Sequence, residues 1–417
     1  MPKVLVIRFQ GSPFHIRMSK VLRTILDSGW QCDILYAARG IGNTNVSKEM
    51  GRDLSAEVVL REFPAPDGRW AKLRRWITAE AVFGSQELEA SLLATLRQQR
   101  YDLLWVKDSP CLPLVFRCLE RAGQADTRVV CDMYENAAEQ LRDSLLTFGD
   151  WRSRWVAHGL RLLPRVCAAE ARFLPRCDRI FVVVEEIKSW LLDQYKLDPA
   201  RLSVVHNVEI LADFDQIKDI PLPLKEEEPL LSFVGGFGVH RGIELLIEAT
   251  RLVANCPHPP FRVALVGASR SEMTRLDKII QDNGVQDHVT LVESQPHRVA
   301  MQWMKRSQIG LIPHLDTMHI RTTIPNKLFQ YMAAGVGSIV SDVGPLGRIV
   351  RETGCGRLFR PGDAEELAAQ ISFALAHPDQ MQQMGAKGRA SAEQRYCWEV
   401  EGQEYARYLL ALRVAIG

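Results

Sequence analysis

Two stretches of this chain combine residue types that chemistry at an anionic group would need. The first is Phe233-Val234-Gly235-Gly236-Phe237-Gly238-Val239-His240-Arg241-Gly242, followed by a run of helical period from Ile243. It reads as a buried strand, a glycine-rich turn, a cation and a helix. Glycines such as Gly235 and Gly236 let backbone come close to a ligand. A helix start offers free N–H groups and the positive end of the helix dipole, to which Arg241 adds a two-pronged grip. This is a candidate diphosphate cradle, and equally a tight strand-to-helix turn with no ligand.

The second stretch is Thr322-Thr323-Ile324-Pro325-Asn326-Lys327-Leu328-Phe329-Gln330-Tyr331-Met332-Ala333-Ala334-Gly335. Thr323 is a candidate N-cap, and Pro325 suits a first helical turn. Leu328, Phe329 and Met332 keep helical spacing and point to a core. Asn326, Lys327 and Gln330 carry the polar atoms near the helix start. A lysine there opposes the helix dipole unless an anion meets it. That misfit favours a bound phosphate over a lysine reaching solvent.

These elements sit in a repeating α/β rhythm. Val4 to Ile7 is a short β-branched run, as in strands buried on both faces of a parallel sheet. A segment of helical period from Met18 to Leu26 follows, then Gly29, then a strand from Cys32 to Leu35. Further strands are expected at 103–106, 129–131, 180–184 and 203–205, with a helix around Pro113 to Arg121. The proline- and charge-rich segment 220–229 reads as a linker. A second series begins at Leu231, with strands at 263–266, 289–291, 309–312 and 338–340, and a last helix from Trp398 to Val414. The expectation is two Rossmann-like, doubly wound domains facing a cleft, with ligands at the carboxyl ends of the strands. The domains are expected at 1–219 and 220–397, with a C-terminal helix at 398–417 packing back toward the first.

Composition narrows the function classes. The 417 residues carry a net charge of +2, too balanced for a nucleic-acid binder. Nine cysteines without CxxC spacing read as reduced thiols, and no zinc pattern appears. No apolar run reaches transmembrane length. GxxxxGK[ST] is absent, and the N-terminal turn is not GxGxxG.

At the two stretches above, the sequence resembles the retaining glycosyltransferases of family 4, of GT-B fold, over nearly the whole chain. Phe233 to Gly242 is similar to that family's donor-phosphate loop. Pro325 to Gly335, with Ser341 to Pro345 and Glu352 to Gly356, is similar to its donor-site helix and the strand and loop beyond. Asp132-Met133-Tyr134-Glu135-Asn136 resembles the segment that ends a strand of the N-terminal domain, and Arg17 lies on what looks like the usual first helix.

The resemblance implies a nucleotide-diphosphate sugar bound by the C-terminal domain and transferred with retention, without a metal or cofactor. Arg241 stands where a phosphate-binding lysine is common. Lys327, Asn326 and the neighbouring backbone, with Gly235, Gly236 and Leu328, would line the donor. Gly11 and Arg17 would face the acceptor, a glycan or lipid-linked hydroxyl. Four departures stand out. Thr322 and Gln330 occupy positions eight apart where the family often has glutamates for donor sugar and ribose. Gly236 replaces an arginine, and Arg321 nearby offers a charge instead. Tyr134 replaces a histidine before Glu135, and a phenol is a poor base at neutral pH. Gln330 can still hydrogen-bond ribose hydroxyls. The missing glutamate and histidine keep a non-catalytic scaffold open as the alternative, beside a sugar-nucleotide epimerase.

Smaller signals have bland readings too. Arg69 to Trp76 mixes cations with aromatics, and 151–179 holds seven arginines and two acids. Such segments suit an anionic membrane surface, and equally a solvated face with arginine stems over apolar groups. The implied location is cytoplasmic, at or away from the inner face of the membrane, in envelope or exopolysaccharide synthesis. His240, His297, His314 and His319 read as loop or packing histidines.

Overall fold

The computed structural model describes residues 1–9, 14–38, 52–64, 83–147, 151, 154, 158–159, 161–219, 221–222 and 228–416. It divides into two compact units, Met1–His206 with Gly402–Gly417, and Asn207–Glu401.

The first unit holds a seven-stranded sheet. Its strands are β1 (Lys3–Arg8), β2 (Gln31–Ala38), β3 (Val59–Pro64), β4 (Leu103–Lys107), β5 (Arg128–Met133), β6 (Arg179–Val182) and β7 (Leu202–Val204). All neighbours pair in parallel, in the order β3-β2-β1-β4-β5-β6-β7. Val4, Leu5 and Val6 are fully buried, as an apolar run flanked on both faces must be. The sequence reading passed over β3. That strand is an edge, its residues are mostly exposed, and VLREFP therefore carries no continuous apolar run.

The second unit holds six parallel strands: β8 (Leu230–Val234), β9 (Arg262–Ala268), β10 (Val289–Glu293), β11 (Ile309–Ile312), β12 (Ser338–Ser341) and β13 (Gly356–Phe359). Their order is β10-β9-β8-β11-β12-β13. In both units the first strand of the series is central, and the winding reverses beside it. The reversal falls between β1 and β4 in one unit and between β8 and β11 in the other. Doubly wound sheets bind ligands at such reversals, beyond the carboxyl ends of the strands.

Three details differ from the sequence expectation. Residues 207–219 belong to the second unit, where Gln302 donates to the Ile217 carbonyl at 3.4 Å. The expected linker lies largely outside the described residues. The last helix is two helices, Trp398–Glu401 and Gln403–Ile416, separated at Gly402, a residue that weakens helices. Only the longer one lies with the first unit, where Trp30 Nε1 donates to the Leu409 carbonyl at 3.2 Å.

Candidate functional site

In the second unit, β8 ends at Val234 and the chain enters the glycine turn. Gly235 has φ 128°, outside the range that other residues adopt readily. Its N–H donates to the Val266 carbonyl at 2.9 Å, fixing the turn to β9. A short 3-10 turn, Val239–Arg241, follows and leads through Gly242 into α1 (Ile243–Ala254). Gly242 has φ 67°, and a Cβ there would overlap the carbonyl oxygen of Pro313. The Leu315 N–H donates to the His240 carbonyl at 2.9 Å. The turn after β8 and the segment after β11 are thus latched together at the point of reversal.

The second stretch forms α2 (Lys327–Ala334). It begins later than expected. Thr323 does not cap it; Asn326 is the N-cap residue, with no side-chain cap bond. A separate turn of helix, Met318–Arg321, precedes it and is capped by Thr317. Leu328, Phe329 and Met332 are buried, as their spacing implied. Tyr331 anchors α2 to β8, donating to the Ser232 carbonyl at 2.6 Å. At the far end, Arg389 donates to the Ala333 carbonyl at 2.7 Å while paired with Asp215.

This anchoring places Lys327 inside the unit. It is 4% exposed, with Nζ 3.2 Å from the centre of the Phe233 ring. Nζ has no hydrogen-bond partner among the described residues. It lies 3.6 Å from where a Cβ on Gly235 would stand, so the glycine turn and the lysine share one space. Burial pushes its pKa well below the ordinary lysine value, and Arg241 adds to that. The ring face of Phe233 offsets only a fraction.

Three histidines complete this space. His240 lies 5.5 Å from His319 and 6.4 Å from His314, ring centre to ring centre. His314 and His319 are buried. Burial, then Arg241, His319 and Lys327, lowers His240 to about 4. Burial, then Lys327, Arg241, His240 and His319, holds His314 well below its usual value. Sequence reasoning took all of these as bland. Their grouping has no linear signature, because they come from the ends of β8 and β11 and a separate helical turn. His297 begins the helix His297–Arg306.

The remaining expected donor residues fall as follows. Gly236 is exposed and Asn326 half-buried. Thr322 is buried, and its hydroxyl donates to the Met318 carbonyl at 2.8 Å. Gln330 is buried, and its amide donates to Glu209 Oε1 at 2.8 Å. This contact gives a reason for an amide at that position: a glutamate there would face Glu209 with like charge. Arg321 is not a spare cation, since it forms a two-pronged pair with Asp316 at 2.6 and 2.7 Å.

In the first unit, a cavity of about 200 Å³ opens at the β1–β4 reversal, lined by Phe9, Lys107, Asp108, Cys111, Glu135 and Gln140 among others. Asp108 has φ 71°, a strained conformation for an aspartate and one that collects at functional sites. Glu135 accepts from the Gln140 amide. The Tyr134 ring lies between Lys107 and Arg17, 4.7 and 4.8 Å away. Its hydroxyl has no partner among the described residues, and burial raises its pKa, which opposes ionisation near neutral pH. Arg17 is fully buried. It donates to the Val205 carbonyl at 3.1 Å, to Tyr405 at 2.5 Å and to Asp132 at 3.3 Å. It ties β5, the end of β7 and the C-terminal helix together. Gly11 lies outside the described residues, as does the Arg69–Trp76 segment. In 151–179, Arg176 pairs with Glu120 and Arg179 with Glu404, while Arg165 lies over Phe83. Among the described residues, no helix is long and apolar enough to cross a membrane.

Comparison with known proteins bears on the family and the fold. Residues 215–391 match the family described as Glycosyl transferases group 1, and residues 17–208 match the Glycosyl transferase 4-like domain. A D-inositol 3-phosphate glycosyltransferase of Gordonia bronchialis is 26% identical over 245 residues, covering 55% of this chain and 51% of that protein. The chain spans about half the length of the curated relatives it matches. Among solved structures, sucrose-phosphate synthase from Thermosynechococcus elongatus aligns with TM-score 0.77 at 17% identity, covering 100% of both chains. Anabaena HepE in complex with UDP and glucose aligns with TM-score 0.71 at 15% identity, covering 99% of this chain and 100% of that one. With family matches running through both units, and with two parallel sheets in the chain itself, it belongs to the group 1 glycosyl transferases, family 4, of α/β GT-B fold.

Proposed function

We propose that the chain transfers a hexose-type sugar from a nucleotide diphosphate to a hydroxyl of a glycan or lipid-linked acceptor, with retention of anomeric configuration. The observation that carries this reading is the buried Lys327 Nζ at the β8–β11 reversal. It sits beside Arg241 and the glycine turn and has no hydrogen-bond partner among the described residues. Burying a cation without an anion is costly, so the pocket is built for an anion that arrives with a ligand. A diphosphate fits the place and the charge.

In the reaction, the bond from the sugar's anomeric carbon to the diphosphate oxygen breaks, and a bond to the acceptor oxygen forms. The acceptor's proton leaves with the departing diphosphate. Negative charge grows on that diphosphate, where Lys327, Arg241 and the N–H groups at the starts of α1 and α2 stabilise it without reorganising. These groups supply the charge that a metal ion supplies elsewhere, and the transfer we propose needs none. The Gln330–Glu209 pair is assigned to the ribose, with Asn326 and Leu328 beside it. On the acceptor side, the cavity bearing Glu135, Lys107 and strained Asp108 holds the incoming hydroxyl. A cell-envelope or exopolysaccharide setting rests on the family alone, and contact with a membrane face is part of that reading. The name carried by several relatives makes a phosphorylated polyol an acceptor class to include.

The test is incubation with UDP-, GDP-, ADP- and dTDP-sugars and panels of glycan, lipid-linked and phosphorylated polyol acceptors. Diphosphate release and the product's anomeric proton coupling are followed by NMR, with and without EDTA. Acceptor-dependent release with retained configuration, unchanged by EDTA, is expected. Release with inversion overturns the retaining assignment, and an epimerised nucleotide sugar without transfer overturns the reaction.

A further inference from the structure

The pocket at the β8–β11 reversal gathers five ionisable groups from four places in the chain. Arg241 and His240 come from the turn after β8, His314 from the segment after β11, His319 from the turn Met318–Arg321, and Lys327 from α2. Three of their atoms, Lys327 Nζ and both ring nitrogens of His314, have no hydrogen-bond partner among the described residues. His314 is 1% exposed, so water does not stand in freely for a partner. The groups whose charges act on His314 are Lys327, Arg241, His240 and His319, each positive when ionised. Arg241 is the charge that acts on Lys327. Asp316, two residues from His314, is exposed toward Arg321 and bound by it.

A cluster of this kind cannot be fully protonated and empty. Every added proton sits in a weakly screened space beside other cations. We infer that the pocket takes up a proton together with its anionic ligand: His314 is neutral in the free protein and becomes an imidazolium, donating to a diphosphate oxygen, when a nucleotide sugar binds. The inference rests on the proposed donor site and adds to it a residue and a pH dependence.

The electrostatics support the geometry. Burial and the surrounding cations hold His240 at about 4 and His314 well below its usual value. A diphosphate brings two negative charges into the same space and reverses the sign of the field on each imidazole. The folded, liganded pocket then binds protons that the free pocket refuses. Binding therefore tightens as pH falls through the raised, ligand-bound values. Lys327, whose pKa burial also depresses, is a second group that can take up a proton with the ligand, and the His314 substitution separates the two.

Calorimetric titration of the full chain with UDP-glucose, GDP-mannose and ADP-glucose tests this in MOPS and in Tris at pH 7.5. A nucleotide sugar's diphosphate has no proton to lose or gain near neutrality, so any proton exchanged belongs to the protein. The expected result is a binding heat that depends on the buffer's ionisation enthalpy with the sign of uptake. Affinity should weaken from pH 6 to pH 8, by at most about tenfold per pH unit for each proton taken up. In His314→Gln the buffer dependence should shrink and the pH profile flatten. Histidine-labelled protein, followed by imaizole ¹⁵N NMR while the nucleotide sugar is added, reads the same protonation without a substitution. Buffer-independent heat with clear binding overturns the inference and leaves the donor site standing. An unchanged buffer slope in His314→Gln, or unmoved imidazole signals, removes His314 from the role. No binding of any of the three overturns the donor site and this inference with it.

Discussion

Lys327 Nζ stands 3.2 Å from the centre of the Phe233 ring, so the end of β8 and the first turn of α2 hold a cation against an aromatic face. The lysine is 4% exposed, which makes it a strained part of the free protein. Its folded pKa is depressed, so between that value and the ordinary lysine value the unfolded chain binds the proton more tightly. Stability therefore rises with pH across that window and is reduced at neutral pH. Lys327→Met keeps the stem and removes the charge. We expect it to stabilise the free protein by about 1–2 kcal/mol at pH 7, with the gain shrinking toward pH 10, in denaturant melts. A loss of stability at pH 7 would show the lysine to be a structural cation.

Gly242 is the hinge of the latch between the two loops. With φ 67° and the Pro313 carbonyl where a Cβ would go, alanine is strained there and has no room. Gly242→Ala should cost more than about 1 kcal/mol of stability and displace the His240 turn. Thermal melts measure the first effect; loss of nucleotide binding measures the second.

Gln330→Glu restores the residue the family often carries, but beside Glu209. Two carboxyls at that distance repel each other once both are ionised, so one pKa rises above its unfolded value. Such a group contributes stability below the unfolded value and loses it as pH climbs through the raised one. The variant should match the parent near pH 4.5 and fall behind by about 1–3 kcal/mol at pH 8. Equal stability at both pH values would mean that the Glu209 contact does not govern the position.

Arg17→Met tests whether that residue is a pin or a ligand contact. It would leave the Asp132 carboxylate fully buried without its cation. Breaking a buried pair from one side costs about 3–5 kcal/mol, so a lower melting midpoint is expected. An unchanged midpoint with weaker acceptor use would return Arg17 to the acceptor site.

How much of this was legible follows from where the information lies. The central strands were readable because each is a continuous apolar run, as Val4 to Ile7 shows. The edge strand β3 was not, since most of its residues are exposed and no apolar run marks it. The glycine turn and the Lys327 helix were readable as separate segments, and the misfit of a lysine at a helix start pointed to an anion. Their meeting was not readable, nor was the histidine cluster, because His240 and His314 are far apart in sequence. The Gln330–Glu209 contact joins residues 121 positions apart, so the reason for an amide at that position was not readable from the sequence. Arg321 shows the reverse case: a nearby cation looked available, but Asp316, five residues before it, already holds it.

The central claim is that the Lys327 pocket binds a nucleoside diphosphate. A thermal-shift screen against UDP, GDP, ADP and dTDP, repeated with Lys327→Met and Arg241→Ala, tests it most directly. A ligand at about a hundred times its dissociation constant stabilises by roughly 2.7 kcal/mol, which is readily seen. The account expects a shift with one nucleotide that disappears in both variants. A shift that persists in Lys327→Met, or none with any of the four at millimolar concentration, would contradict it.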